Sequence, residues 1–227
     1  MRVAVLATDG VEQVELDRPW QALEEAGALP ELVSLEAGEI TAYDHIDKGD
    51  TRKVDAVVGS ADPDDYGALV LPGGVINGDF VRADADAVAF VKAFFEAGKP
   101  VAAICHAPWV LAEADVVRGR RMTSWPSLQT DLRNAGATWV DEEVVVDGNL
   151  VTSRRPDDLP AFNKALLEAL PGSATSTTRL SHPVHLRGDL APYTTCPDPP
   201  PGRTRQRGRT GQAGRTRGPG AGRVPGV

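Results

Sequence analysis

Cys105 and His106 lie side by side in the run Gly98-Lys99-Pro100-Val101-Ala102-Ala103-Ile104-Cys105-His106-Ala107-Pro108-Trp109. A thiol beside an imidazole supplies the parts of a cysteine nucleophile, the sulfur to attack and the ring to take its proton. The flanking residues place the pair at a sharp corner. Gly98-Lys99-Pro100 ends a helix. Residues 101–104 form a short, unbroken apolar run, as in a strand buried on both faces of a parallel sheet. Residues 107–114 read as a helix that tolerates Pro108 in its first turn. At such a corner, unpaired backbone N–H groups and the positive helix end are expected to lower the thiol pKa. The next backbone N–H can serve as an oxyanion donor, as in nucleophile elbows. Ala103 and Ala107 supply the small neighbours that an elbow needs. A lone buried cysteine is also a common inert hydrophobe, so the corner by itself leaves both readings open.

Other candidate groups fall at places an α/β sheet uses for its sites. Residues 2–7 read as a buried strand, and residues 11–26 as an amphipathic helix stopped by Gly27. Glu12 and Glu15, three apart near that helix start, share a face. They either complement the helix dipole or reach over the sheet edge toward Cys105. Residues 30–35 form a second strand, residues 36–58 a small excursion of hairpin strands, and residues 62–66 a helical turn. Residues 68–71 form a buried strand that runs into Pro72-Gly73-Gly74, a loop at a strand's carboxyl end where such sheets place ligands. Asn77, Gly78 and Asp79 read as an extension of that loop, and Asp84 as the N-cap of a helix through Ala97. Residues 124–126, with Trp125, form another candidate site loop. Ser127 caps a helix through Asn134, residues 139–146 and 150–153 read as a hairpin around Asp147-Gly148-Asn149, and residues 156–170 as the last helix. Alternation of strands and helices predicts an α/β fold: a mainly parallel sheet sandwiched by helices.

Charge divides the chain. Residues 1–171 carry 15 Lys and Arg against 30 Asp and Glu, a net −15, while the remainder carries nine Arg and two Asp, a net +7. The acidic part is long enough for one domain with a real core and is poorly suited to nucleic acid or an anionic membrane surface. Residues 172–227 form a low-complexity Arg/Gly/Pro-rich tail, expected to be disordered because it cannot bury enough surface to offset its ordering entropy. Such a tail could bind nucleic acid or dock on the acidic domain, or it is a read-through or frame-shifted terminus. His182 within it is followed by no acid and is set aside. Two cysteines, Cys105 and Cys196, make no disulfide framework, which fits a reducing compartment. With no signal-peptide pattern and no apolar run near 20 residues, the expected location is cytoplasmic.

The segments VELDRPWQALEEAG (14–27), GALVLPGG (67–74) and GKPVAAICHAPWVLAEADVVRGRRMTSWPSLQTDLRNAGATWVDEEVVVDGNLVTSR (98–154) resemble the PfpI family of intracellular proteases and protein deglycases, which includes the Parkinsonism-associated deglycase. The resemblance covers residues 1 to about 170. It implies a flavodoxin-like, class I glutamine amidotransferase-like fold, with Cys105 as nucleophile and His106 as its partner. It implies that Asp79 is an acid reaching the Cys-His pair of a neighbouring subunit, so that a homo-oligomer completes the site. Glu15 falls on the carboxylate that lies against the sulfur, with Glu12 one turn away. Gly74 and His106 would offer backbone N–H groups to an oxyanion. Trp125 stands in the substrate pocket, where the deglycase has histidine and protease-like members often have tyrosine. Ala107 replaces the usual glycine, and Asp79 stands for the Glu of some relatives. No cofactor and no metal are expected.

The implied activity is that of a cysteine hydrolase acting on glycated protein adducts, α-oxoaldehydes or peptide bonds, with deglycase chemistry favoured because no feature suggests an extended peptide groove. One alternative is a non-enzymatic redox sensor or stress chaperone built on oxidation of Cys105. Another is a glutaminase-type amidotransferase subunit, against which stands the missing His-x-Glu near the domain end.

Overall fold

The computed structural model describes residues 1–172. The tail, with Cys196, His182 and the expectations of disorder and nucleic-acid contact, lies outside the described residues. In chain order the elements are strands β1 (Arg2–Leu6) and β2 (Val11–Glu12), helix α1 (Gln13–Glu25), strands β3 (Leu29–Ser34), β4 (Glu39–Asp44), β5 (Asp47–Lys53), β6 (Ala56–Val57) and β7 (Ala68–Leu71), and helices α2 (Val75–Ala83) and α3 (Ala85–Glu96). Then come strand β8 (Val101–Ile104), helix α4 (Pro108–Glu113), strand β9 (Arg121–Met122), helix α5 (Gln129–Asn134), strands β10 (Thr138–Trp139), β11 (Val144–Asp147) and β12 (Leu150–Ser153), and helix α6 (Leu159–Ala169).

Seven strands form one sheet in the order β11-β12-β8-β7-β1-β3-β6, parallel except for the antiparallel edge pair β11-β12. The three central strands are β1, β7 and β8. Their runs RVAVL, ALVL and VAAI are apolar at almost every position because helices cover both faces, leaving no solvent side for a polar alternate. Two cores result. One gathers Leu6, Leu69, Leu71 and Ala103 with Phe90 and Phe94 of α3 and Leu111 of α4. The other gathers Val3, Val5, Val70 and Ile104 with Leu16 and Leu23 of α1 and Phe162 and Leu166 of α6. The expected α/β fold with a mainly parallel sheet is borne out.

Four local expectations are corrected. Helix α1 starts at Gln13, because Val11 and Glu12 pair in parallel with Ala42 and Tyr43 of the β4-β5 hairpin. Asn77, Gly78 and Asp79 belong to α2 rather than to a loop. Ser127 is no cap: it lies in a 3-10 turn over Pro126–Leu128, and α5 follows it without a side-chain cap. Trp139 pairs beside Met122 in a separate two-stranded ribbon, so the hairpin proper is only β11 and β12. Asp84 caps α3 as expected, its carboxylate accepting the Ala87 N–H at 2.8 Å.

Candidate active site

Cys105 follows the last residue of β8, at the carboxyl edge of the sheet. Its N–H donates to the Ser153 carbonyl of neighbouring β12 at 3.1 Å, and its own carbonyl accepts the Trp125 N–H at 2.8 Å. Between these two ties the backbone reverses with φ at +62°, a left-handed conformation rare for a residue with a side chain. Strain of this kind persists only where neighbours over-determine it, and it turns the side chain out of the sheet. The thiol nevertheless stays 6% exposed.

Three groups meet the sulfur. His106 Nδ1 lies 3.2 Å from Sγ. The backbone N–H groups of Gly74 and His106 both point at it. Glu15, fully buried on α1, accepts the Gly73 N–H at 3.0 Å through Oε2, its carboxyl is coupled to the Cys105 thiol, and Oε1 has no hydrogen-bond partner. Glycine is required at both loop positions. A Cβ on Gly73 would come within 2.3 Å of Glu15 Oε2 and 2.6 Å of Cys105 Cβ. At Gly74, with φ at +93°, it would come within 2.3 Å of the Gly10 carbonyl.

The electrostatics invert one expectation. Burial pushes the Cys105 thiol up, a charged Glu15 would push it further, and the two backbone N–H groups only partly offset this. Helix α4 has six residues, too few for a strong dipole to overcome the desolvation. Burial, with the charge of Glu12 second, pushes Glu15 up to about 8, so at neutral pH its carboxyl carries a proton that it can donate to sulfur. Burial also lowers His106 to about 4, which leaves the imidazole neutral and able to accept a proton. The resting site therefore pairs a thiol with a neutral base, and ionisation of sulfur accompanies attack.

The ring of His106 is sandwiched. It stacks on Trp125 with centroids 5.7 Å apart and an interplanar angle of 24°, and meets Trp109 edge-on at 5.4 Å and 61°. Asp79 is not brought to it. That carboxylate sits on the outer face of α2, largely exposed, paired with Arg82 at 3.2 Å. Glu12 does not meet the thiol either; it turns to His45, whose Nδ1 lies 3.5 Å from it. Glu12, Asp44 and His45 bring one ligand atom each within 4.8 Å of one another, the only cluster of metal-ligand type among the described residues.

The sequence profile of the DJ-1/PfpI family matches residues 1–169. The chain belongs to the DJ-1/PfpI family. A protein named as a deglycase from Thermococcus kodakarensis is 44% identical over 170 residues, 75% of this chain and 99% of its own length. The protein/nucleic acid deglycase 2 of Escherichia coli is 42% identical over 171 residues, 74% of this chain and 97% of its own. A crystal structure of a two-domain protein from Anabaena variabilis, with a DJ-1/ThiJ/PfpI-like and a ferritin-like domain, superposes with a TM-score of 0.70 at 36% identity, over 74% of this chain and 49% of that one.

One residue that holds this DJ-1/PfpI site together was missed as a site residue. Asn77 is buried in the first turn of α2. Its Oδ1 accepts the Thr8 N–H at 2.8 Å, and its Nδ2 donates to the carbonyls of Pro72 at 2.9 Å and Gly73 at 3.0 Å. It thus fixes the loop that aims the Gly74 N–H. Asn77→Ala takes the hydrogen-bond partner from the buried Thr8 N–H and Pro72 carbonyl and leaves the Gly73 carbonyl only the Glu12 N–H, and an expected loss of about 3 kcal/mol of stability follows, readable by urea unfolding. Its sequence signal, Asn-Gly, reads as a turn and so concealed the role.

Proposed function

We propose that this chain is a cysteine-dependent hydrolase of PfpI type that acts on early glycation adducts of proteins or on small α-oxoaldehydes. The single observation that carries this reading is the convergence on one buried sulfur of a neutral imidazole, a protonated carboxyl and two backbone N–H donors. Relatives named as deglycases, more than 40% identical over the same residues, support it. In the reaction His106 Nδ1 takes the thiol proton as sulfur bonds to the substrate's carbonyl carbon. The carbonyl π electrons pass to oxygen, which Gly74 and His106 N–H groups are placed to hold. The imidazolium returns its proton to that oxygen. The neutral ring then moves the hydrogen of the same carbon, as a proton, to the adjacent carbonyl carbon through an enediol, while the hydroxyl proton passes to the neighbouring oxygen, which leaves a 2-hydroxyacyl thioester. Water hydrolyses it to the hydroxy acid and the thiol. With a glycation adduct the amine leaves that carbon, taking the thiol proton, as sulfur bonds to it. A lone thiol nucleophile suits a reducing compartment, the cytoplasm above all; among the described residues no helix is long and apolar enough to cross a membrane.

Asp79 enters this proposal through a second copy of the chain. The outer face of α2 exposes Val75, Ile76 and Phe80 beside Asp79, an apolar surface of the kind that marks an interface. A carboxylate supplied across that interface would fix the His106 tautomer. Co-expressed Asp79→Ala and Cys105→Ala chains are expected to show activity that neither has alone, since a mixed assembly contains one complete site. No recovery on mixing would place Asp79 outside the site. The proposal as a whole is tested with methylglyoxal-treated peptide as substrate, following return of the free amine and release of a hydroxy acid. Turnover of casein with no turnover of the adduct would reject the substrate class.

A further inference from the structure

A cysteine–histidine pair commonly owes the orientation of its ring to a carboxylate behind the imidazole. Among the described residues no carboxylate bonds to His106, and burial alone sets its ionisation. Within the chain two indoles flank it. Trp109 is a fixed wall: its Nε1 donates to Asp131 of α5 at 2.9 Å, and the Arg82 guanidinium lies 5.0 Å over its ring. Trp125 lies on the open side, 37% exposed, its ring nearly parallel to the imidazole. The same residue ties the elbow, through its N–H to the Cys105 carbonyl.

We infer that Trp125 is the positioning residue of the thiol–imidazole pair, its backbone N–H anchoring Cys105 while its indole stacks on His106 and keeps Nδ1 on the sulfur. The segment that carries it is built to stay still. Trp139 Nε1 donates to Ser124 Oγ at 2.9 Å, Ser124 Oγ donates to the Trp125 carbonyl at 2.9 Å, and the Leu128 N–H donates to that same carbonyl at 3.0 Å. Pro126 restricts the Trp125 backbone further. Rotation of the imidazole off the sulfur takes it off the face of the Trp125 indole, with the Trp109 ring packed at a second side. The charged and titratable groups around the ring are Glu15 across the thiol, Arg82 with Asp79 on α2, and Asp131 behind Trp109. Removing the indole leaves this set in place, so a change in the ring's behaviour reports the stack.

This inference rests on Cys105 and His106 being the reacting pair, but its test needs no substrate. The full chain and its Trp125→Phe and Trp125→Leu forms are compared by NMR of the His106 ring protons and by peptide-resolved iodoacetamide alkylation of Cys105 from pH 5 to 9. In the unaltered chain the His106 protons are expected upfield, shifted by the stacked indole of Trp125. Trp125→Leu is expected to lose part of that shift, to raise the ring's titration midpoint as water reaches it, and to slow alkylation at pH 7 about fivefold. Trp125→Phe, which keeps an aromatic face, is expected to retain the shift and most of the rate. Absence of the upfield shift in the unaltered chain overturns the inference before any variant is made. Unchanged alkylation in Trp125→Leu, or a Trp125→Phe as slow as Trp125→Leu, overturns it as well. A chain that passes these tests yet turns over no adduct would refute the proposed substrate and leave the positioning role intact.

Discussion

Cys105→Ala is expected to reduce turnover of a glycation adduct by about 10⁴-fold or more, to the background rate, while the chain keeps its fold. Removing one member of a cysteine–histidine unit removes the covalent route altogether, and what remains is the modest help of two N–H donors and of substrate positioning. The fold is expected to tolerate the change well. The left-handed backbone at position 105 is held by its N–H donating to the Ser153 carbonyl and its carbonyl accepting the Trp125 N–H, neither of which involves the side chain, and Ala is smaller than Cys in a buried space. The variant also takes from buried Glu15 the sulfur its carboxyl meets, so a small fall in melting temperature is the expected direction. Full activity in Cys105→Ala would end the account of covalent catalysis. Loss of activity together with loss of the folded state would require Cys105→Ser as the deciding variant.

Glu15→Gln is expected to slow turnover about a hundredfold, the order found when one preorganised donor is removed, and to flatten the pH dependence of stability on the alkaline side. The sign follows from its carboxyl, pushed up to about 8 in the fold against an ordinary value of 4.5. Between these values the folded chain holds a proton that the unfolded chain has released. The stability gained is complete below about pH 4.5 and is lost as pH rises through about 8. His106 works in the opposite direction and in a lower window. Its midpoint falls to about 4 from an ordinary 6.5, so its contribution is present above about pH 6.5 and is lost as pH falls through about 4. The interval from about pH 6.5 to 8 therefore belongs to Glu15. Melting temperature should fall across it in the unaltered chain and stay level in Glu15→Gln, whose amide oxygen still accepts the Gly73 N–H. Equal slopes in the two proteins would mean that Glu15 is already charged at neutral pH, and the protonated donor to sulfur would be lost from the mechanism.

The central strands were legible because their burial on both faces leaves unbroken apolar runs, and the elbow because a strand, a Cys-His pair and an N1 proline follow one another without a gap. What stayed hidden was tertiary in origin. Gly78 and Asn77 look like turn residues, yet Gly78 sits in a helix because a Cβ there would lie 3.0 Å from the His106 carbonyl, and Asn77 because its amide staples a buried loop. Val11 and Glu12 follow the helical period but are captured by the β4-β5 hairpin. The depressed thiol pKa expected at the corner was reversed because desolvation depends on how completely the neighbours close over the sulfur, which a local pattern does not encode. Glu15 and Glu12 read alike in sequence; packing buried one against Cys105 and turned the other to His45.

The central claim is that the Cys105 sulfur bonds covalently to the substrate carbon. Acid quenching of the full chain at successive times during turnover of a methylglyoxal adduct, followed by peptide mass spectrometry, reads this directly. The account predicts a mass increase on the peptide containing Cys105 that rises to a steady level and decays when substrate is exhausted, and that is lost from this peptide in Cys105→Ala. Turnover that proceeds with this peptide unmodified at every time would contradict it.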